Sequence, residues 1–163
     1  MKHLHFLITL VFLFSIILSC QQTPDFEKEK AELLAWHKKN MQAIVDGDIE
    51  TMVLLFPDSS LAIDNGEVVK FDKEKDTERL KKDFARGKFI ETPDLIEPII
   101  HISNDATMAW MLCQYHIKYI FTDSTGVQTD KETVGSEISV FEKINSKWVF
   151  SAGAETYQKP ADK

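Results

Sequence analysis

Thr107-Met108-Ala109-Trp110-Met111-Leu112-Cys113-Gln114-Tyr115-His116-Ile117-Lys118-Tyr119-Ile120-Phe121-Thr122 is the stretch on which the fold turns. Taken two residues at a time it separates into two faces. Ala109, Met111, Cys113, Tyr115, Ile117, Tyr119 and Phe121 share one, and Trp110, Leu112, Gln114, His116, Lys118 and Ile120 share the other. That alternation is the signature of a long β-strand covered on one side. An antiparallel sheet can keep one face on a core and leave the other in water. The first set is the more apolar and is expected to face the rest of the domain.

The pattern extends in both directions. Downstream, strands are expected over about Lys131–Lys143 and Lys147–Tyr157, joined by turns at Asp123-Ser124-Thr125-Gly126 and Asn145-Ser146. Upstream, Leu95–Ser103 reads as another strand. Leu61 and Ile63 before Asp64-Asn65-Gly66, with Val68, Val69 and Phe71 after it, read as a small hairpin. Helices precede these. The first runs from about Asp25 to Asp46, with Thr23 as its cap, Pro24 in its first turn and Leu33, His37, Met41 and Ile44 on one side. Gly47 stops it. Asp48 caps a short second helix that Pro57 ends, and Asp72 caps a charged third helix that Gly87 ends. Helices first and strands after define an α+β domain.

The amino terminus has a different character. Lys2 gives a positive start, and Phe6 to Leu18 is apolar apart from Thr9 and Ser15. The run is shorter than the roughly 20 residues that span a bilayer. It fits a signal-peptide core better. Its end, Ile17-Leu18-Ser19-Cys20, resembles the bacterial lipobox. That resemblance implies cleavage before Cys20 and lipidation of it, several acyl chains giving firm anchoring where one is marginal. The alternatives are an uncleaved anchor or an ordinary secretory signal. The expected organisation is signal peptide over 1–19, lipidated cysteine and tether over 20–24, one domain over 25–158 and a tail over 159–163. Gln21 is not acidic and does not resemble the signal for inner-membrane retention, so the expected location is the cell envelope, at the outer membrane in a Gram-negative host.

The 163-residue chain carries a formal charge of -7, a poor match to nucleic acid or an anionic lipid surface. It has two cysteines. With Cys20 lipidated, Cys113 has no disulfide partner and reads as a small core residue rather than a nucleophile. His37, His101 and His116 show no zinc-ligand spacing. Phosphate-loop and nucleophile-elbow motifs are missing from the sequence. No metal or cofactor is expected.

Three segments carry a resemblance to a family. They are Ala43-Ile44-Val45-Asp46-Gly47-Asp48 with its short helix, Ile102-Ser103-Asn104-Asp105-Ala106-Thr107-Met108-Ala109-Trp110, and Val140-Phe141-Glu142-Lys143-Ile144-Asn145-Ser146-Lys147-Trp148. In order and spacing they resemble the nuclear transport factor 2-like superfamily, and within it the SnoaL-like domains. The resemblance implies a cone-shaped curved antiparallel sheet wrapped around the N-terminal helices, often with a pocket at its open end. It also implies a homodimer through the outer sheet face. It does not imply one activity.

Candidate site residues follow from the last hairpin. A two-residue turn at Asn145-Ser146 sets Lys143 opposite Trp148, Phe141 opposite Phe150, Ser139 opposite Ala152 and Glu137 opposite Ala154. Glu137 then lies among small residues, where burial raises a carboxyl towards the range of a general base. Tyr115 is a second candidate catalytic residue, as a hydrogen-bond donor, and His37, Tyr115, Tyr119 and Glu137 are candidate ligand contacts. Glu155 is expected on the opposite face. A one-residue change of register would reverse these assignments and leave Glu137 in solvent or in a dimer interface. Trp36 and Trp110 read as packing or interface residues, and Asp64 as a turn residue. Three functions remain open: a binding module for a small apolar or amphipathic molecule or a protein partner, a cofactor-independent isomerase, cyclase or dehydratase, and an interaction protein that dimerises through Trp110, Leu112 and Ile120.

Overall fold

The computed structural model describes residues 23–64 and 66–158. The signal segment, Cys20, Asn65 and the tail lie outside the described residues. The helices are α1 (Phe26–Asp46), α2 (Ile49–Leu55) and α3 (Lys73–Arg86), with a two-stranded hairpin between α2 and α3. The strands are β1 (Leu61–Asp64), β2 (Glu67–Lys70), β3 (Gly87–Glu91), β4 (Ile99–Ile102), β5 (Met108–Thr122), β6 (Gln128–Ile144) and β7 (Lys147–Tyr157). No helix among the described residues is long and apolar enough to cross a membrane.

Asp25, not Thr23, caps α1, its side chain accepting from the Lys28 amide. Asp48 and Asp72 cap α2 and α3 in the same way, each answering an amide that the first helical turn leaves free. Gly47 closes α1 in the left-handed region, φ 66°, which glycine enters without a Cβ clash.

The strands form one sheet in the order β2-β1-β7-β6-β5-β3, and β4 shares the β5 edge with β3. Every pairing is antiparallel except β1 with β7. Gly87 does end α3, but it also opens β3 directly. Only Ile99–Ile102 of the expected Leu95–Ser103 strand is regular. Pro98, directly before Ile99, interrupts it, since a proline lacks a ladder donor. The Asp94 region instead lies against β5 through an isolated bridge to Tyr115 and the hydrogen bond from Leu95 N to Gln114 O, 2.8 Å.

The faces of β5 fall as expected. Ala109, Met111, Cys113, Tyr115 and Ile117 are buried, and with Leu33, Met41, Phe141 and Phe150 they make the core. Trp36 fills the space between α1 and the sheet, edge-on to Phe141 at 4.9 Å and stacked with Phe150 at 5.8 Å. The first turn of α1 is pinned to the last hairpin. Lys143 Nζ and Trp148 Nε1 donate to the two carboxylate oxygens of Glu29, the second at 2.7 Å, and the Lys143 ammonium lies over the Trp148 ring.

The β6–β7 hairpin starts as expected, with Lys143 opposite Trp148 and Phe141 opposite Phe150. Asn145 and Ser146 both take positive φ, 50° and 63°, the conformation that suits a two-residue hairpin. Beyond Phe141 the register slips. Val140 pairs with Ala152, so Ser151 is an extra residue on β7. This β-bulge changes what stands beside Glu137.

Candidate functional site

Below the bulge, Ser139 stands opposite Gly153 rather than Ala152, and Glu137 opposite Glu155 rather than Ala154. Glu155 is therefore on the face of Glu137, not the opposite one. The extra residue turns the rest of β7 over, because strand side chains alternate with a period of two. On the other side, Glu137 pairs with Cys113 and Gly135 with Tyr115. Gly135 leaves room for the Tyr115 ring, since a Cβ there would come 2.5 Å from Tyr115 Cε2.

Helix α1 completes the group. His37 is buried, and its Nε2 lies 2.8 Å from Asp94 Oδ1 while Nδ1 lies 3.6 Å from Cys113 Sγ. A carboxylate only accepts, so Nε2 carries the proton and donates to Asp94, and Nδ1 is left to accept from the thiol. Burial, then the Glu137 and Asp94 charges, push the Cys113 thiol up to about 12. It remains a protonated donor, which agrees with its reading as a core residue.

Burial also raises the Glu137 carboxyl above its ordinary 4.5, and the Glu155 charge adds to this; the Ser139 hydroxyl, which donates to Glu137 Oε1, and the nearby His37 oppose it. Tyr115 and Tyr157 are both raised by burial and by neighbouring carboxylates, Glu137 first for Tyr115 and Glu155 first for Tyr157. Both phenols are thus held neutral and able to donate. Asp94, Glu155 and Tyr157 form the accessible rim of the group, with Glu137 half-buried beneath them.

Of the expected residues, His37, Tyr115 and Glu137 come together. Tyr119 does not join them. It shares the inner face of β5, four residues along, or about 13 Å at strand rise, where its ring packs on Phe89 at 5.8 Å. Asp94 and Tyr157 are not among the candidates the sequence offers, and Glu155 stands on the face opposite to the one expected for it. Among the described residues no set of three or more His, Cys, Asp or Glu side chains is placed to hold a metal ion. A cleft of about 470 Å³, lined by Gln114, Ser136, Thr156 and Tyr157 among others, lies largely on the outer side of the sheet.

That outer face is unusually apolar. One row of cross-strand neighbours runs Ile99, Leu112, Ile138, Ala154, Ile63, Val68, across six strands. The next row runs His101, Trp110, Val140, Ala152, Leu61, Lys70, with His101 stacked on Trp110. Ile99, Leu112, Ile138, Ile63, Val68 and Leu61 are exposed.

No protein-family model matches the sequence, and no curated protein matches it. Solved structures do. A nuclear transport factor 2-like superfamily protein of Salmonella enterica serovar Typhimurium superposes with TM-score 0.68 at 17% identity, over 84% of this chain and 96% of that one. A ketosteroid isomerase-like protein of Erwinia carotovora atroseptica gives 0.59 at 15%, over 80% and 96%. The association domain of C. elegans CaMKII gives 0.55 at 19%, over 80% and 96%. At these identities the likeness speaks to the fold. The chain has the nuclear transport factor 2-like fold, an α+β domain with a curved sheet around its helices.

Proposed function

We propose that this chain is a lipid-anchored envelope protein whose SnoaL-like domain binds a small amphipathic molecule at the polar group around Glu137. One observation carries the reading. The Glu137 carboxyl is largely withdrawn from water, its hydrogen-bond partner is the Ser139 hydroxyl, and its cross-strand neighbour is a second carboxylate, Glu155. A carboxyl so placed opposes folding rather than favouring it. Groups of this kind concentrate where a ligand uses them. The neutral Tyr115 and Tyr157 phenols supply directed donors beside it, and the buried His37, bonded to Asp94 and Cys113, backs them from the core. The test is thermal-shift and fluorescence titration of the domain against a hydrophobic probe and a panel of envelope metabolites. The expected result is saturable binding that Glu137→Gln weakens about tenfold, near 1.4 kcal/mol. Binding by no compound at any concentration sinks the reading.

The same group supports cofactor-independent acid–base catalysis as a second reading, and the likeness to a ketosteroid isomerase-like protein favours it. Glu137 would take a proton from the substrate, and Tyr115 would donate to the oxygen where charge develops. Turnover unchanged by Glu137→Gln removes Glu137 from that role. Assembly is a further component of the proposal. The apolar rows on the outer face, and the likeness to an association domain, support a homodimer through that face. Ile120 lies on the same face beyond the two rows. A Leu112→Lys, Ile138→Lys variant is expected to be monomeric in sedimentation. A parent that is itself monomeric at high concentration counts against the interface.

A further inference from the structure

The lipid anchor proposed at Cys20 has a geometric consequence for how the domain stands on the membrane. We infer that the end of the domain carrying Phe26, Met108 and Ile144 beds on the lipid surface, so that the polar group around Glu137 opens to water and takes its ligand from the aqueous phase. The inference rests on the lipidation reading. From Cys20 to the Asp25 cap the chain can reach at most about 18 Å when fully extended. The first turn of α1 therefore stays close to the bilayer, however the tether moves.

What else stays close is fixed by contacts. Glu29, in the first turn of α1, accepts from both Lys143 and Trp148 and holds the tip of the β6–β7 hairpin there. Thr107 joins the same end through the bond from Lys143 N to Thr107 O, 2.8 Å. Three apolar side chains project from it without cover. Phe26 is 43% exposed, Met108 49% and Ile144 51%. Around them Lys28 and Lys147 are outnumbered by Asp25, Glu27 and Glu142, the cross-strand partner of Met108, so there is no basic excess for an anionic surface; the contact is apolar, and a zwitterionic lipid surface suits it. The polar group lies the other way. Glu137 is six residues down β6 from Lys143, about 20 Å at strand rise. Beyond it the turn joining β5 to β6 is about 50 Å from Lys143 along the strand.

The experiment uses the full-length lipidated chain in phosphatidylcholine vesicles doped with a headgroup-nitroxide phospholipid. Fluorophores are attached in turn at Lys147→Cys, beside the hairpin tip, and Ser124→Cys, at the far turn. Cys113 is buried and leaves each label unique. The expected result is that the Lys147→Cys label loses about half its intensity while the Ser124→Cys label loses almost none, since the two differ by about 50 Å along the strand. Replacing Phe26, Met108 and Ile144 by serine should relieve most of the first quench with the lipid still attached. Two unquenched labels on a chain that mass spectrometry shows lipidated overturn the seating alone. Equal quenching of both overturns the orientation. A chain without lipid on Cys20 overturns the anchor reading and the seating with it.

Discussion

Glu29 gives the most exacting test of how the helices are held to the sheet. Its carboxylate is buried, accepts from Lys143 and Trp148, and leaves the Lys143 side chain 19% exposed. Glu29→Ala strands both donors. Removing one partner of a buried ion pair costs about 3–5 kcal/mol, because the other charge stays behind. Lys143 retains some access to water, which places the loss near the lower bound, about 3 kcal/mol, or roughly a 10 °C fall in melting temperature for a domain of this size. Lys143→Met strands only a carboxylate that keeps its Trp148 donor, and should cost about 2 kcal/mol. The double variant Glu29→Ala, Lys143→Met removes both charges and should cost about 1 kcal/mol, chiefly the lost Trp148 bond. The coupling is then about 4 kcal/mol, read from urea unfolding of all four proteins. Losses that add, or a Glu29→Ala cost below about 1 kcal/mol, would class the pair with exposed salt bridges. The clasp would then not be what orients α1.

Three further outcomes follow from the same contacts. Gly135→Ala sets a methyl 2.5 Å from a Tyr115 ring that is itself buried in the core; a loss of about 1–3 kcal/mol is expected in urea unfolding, and an unchanged midpoint would mean the ring does not rest there. For Glu137 the folded pKa lies above 4.5, so below that pH the carboxyl is neutral in both states and nothing is lost. As pH rises from there towards the folded value the unfolded chain ionises first and stability falls. Glu137→Gln should therefore match the parent near pH 4 and exceed it progressively towards pH 7, and a gap that shrinks over that range contradicts the burial. Cys113, held at about 12 by burial and acidic neighbours, should resist iodoacetamide at pH 8 in the folded domain and react readily in urea; fast native alkylation would show an accessible thiolate.

The long strand was legible because its alternation is strict and one face is covered. Both faces of β5 follow from spacing alone, as do the Asp48 and Asp72 caps and the Asn145-Ser146 turn. Asp94 was not legible. It sits after Pro93 in a segment with no periodicity, and only tertiary packing brings it to His37, which α1 presents from 57 residues away in sequence. Tyr119 was misplaced for a related reason. A strand tells which face a residue is on but not how far along that face the neighbouring helix reaches, and α1 places His37 against Cys113, not beside Tyr119.

The decisive omission was one residue long. Counting back from the turn gives correct partners as far as Phe141 and wrong ones from Val140 onward, because Ser151 is looped out of the ladder. A bulge at a serine flanked by Phe150 and Ala152 leaves no mark in an alternating pattern, since small residues suit either face. Its effect is chemical as well as geometric. With Ser151 paired in the ladder instead of looped out, Ala154 would stand beside Glu137 and Glu155 would face outward. With the bulge, two carboxylates meet on the inner face, Gly153 makes room for the Phe150 ring, and Tyr157 reaches Tyr115. The second carboxylate beside Glu137 depends on that looped-out residue, and adds to the upward push that burial chiefly supplies. Deleting Ser151 should therefore keep Glu155 opposite Glu137 and spare ligand binding, whereas deleting Ala154, below the bulge, should set Thr156 opposite Glu137, turn Glu155 outward and weaken binding while the hairpin still forms; a site indifferent to the Ala154 deletion could not be built around the Glu137–Glu155 pair.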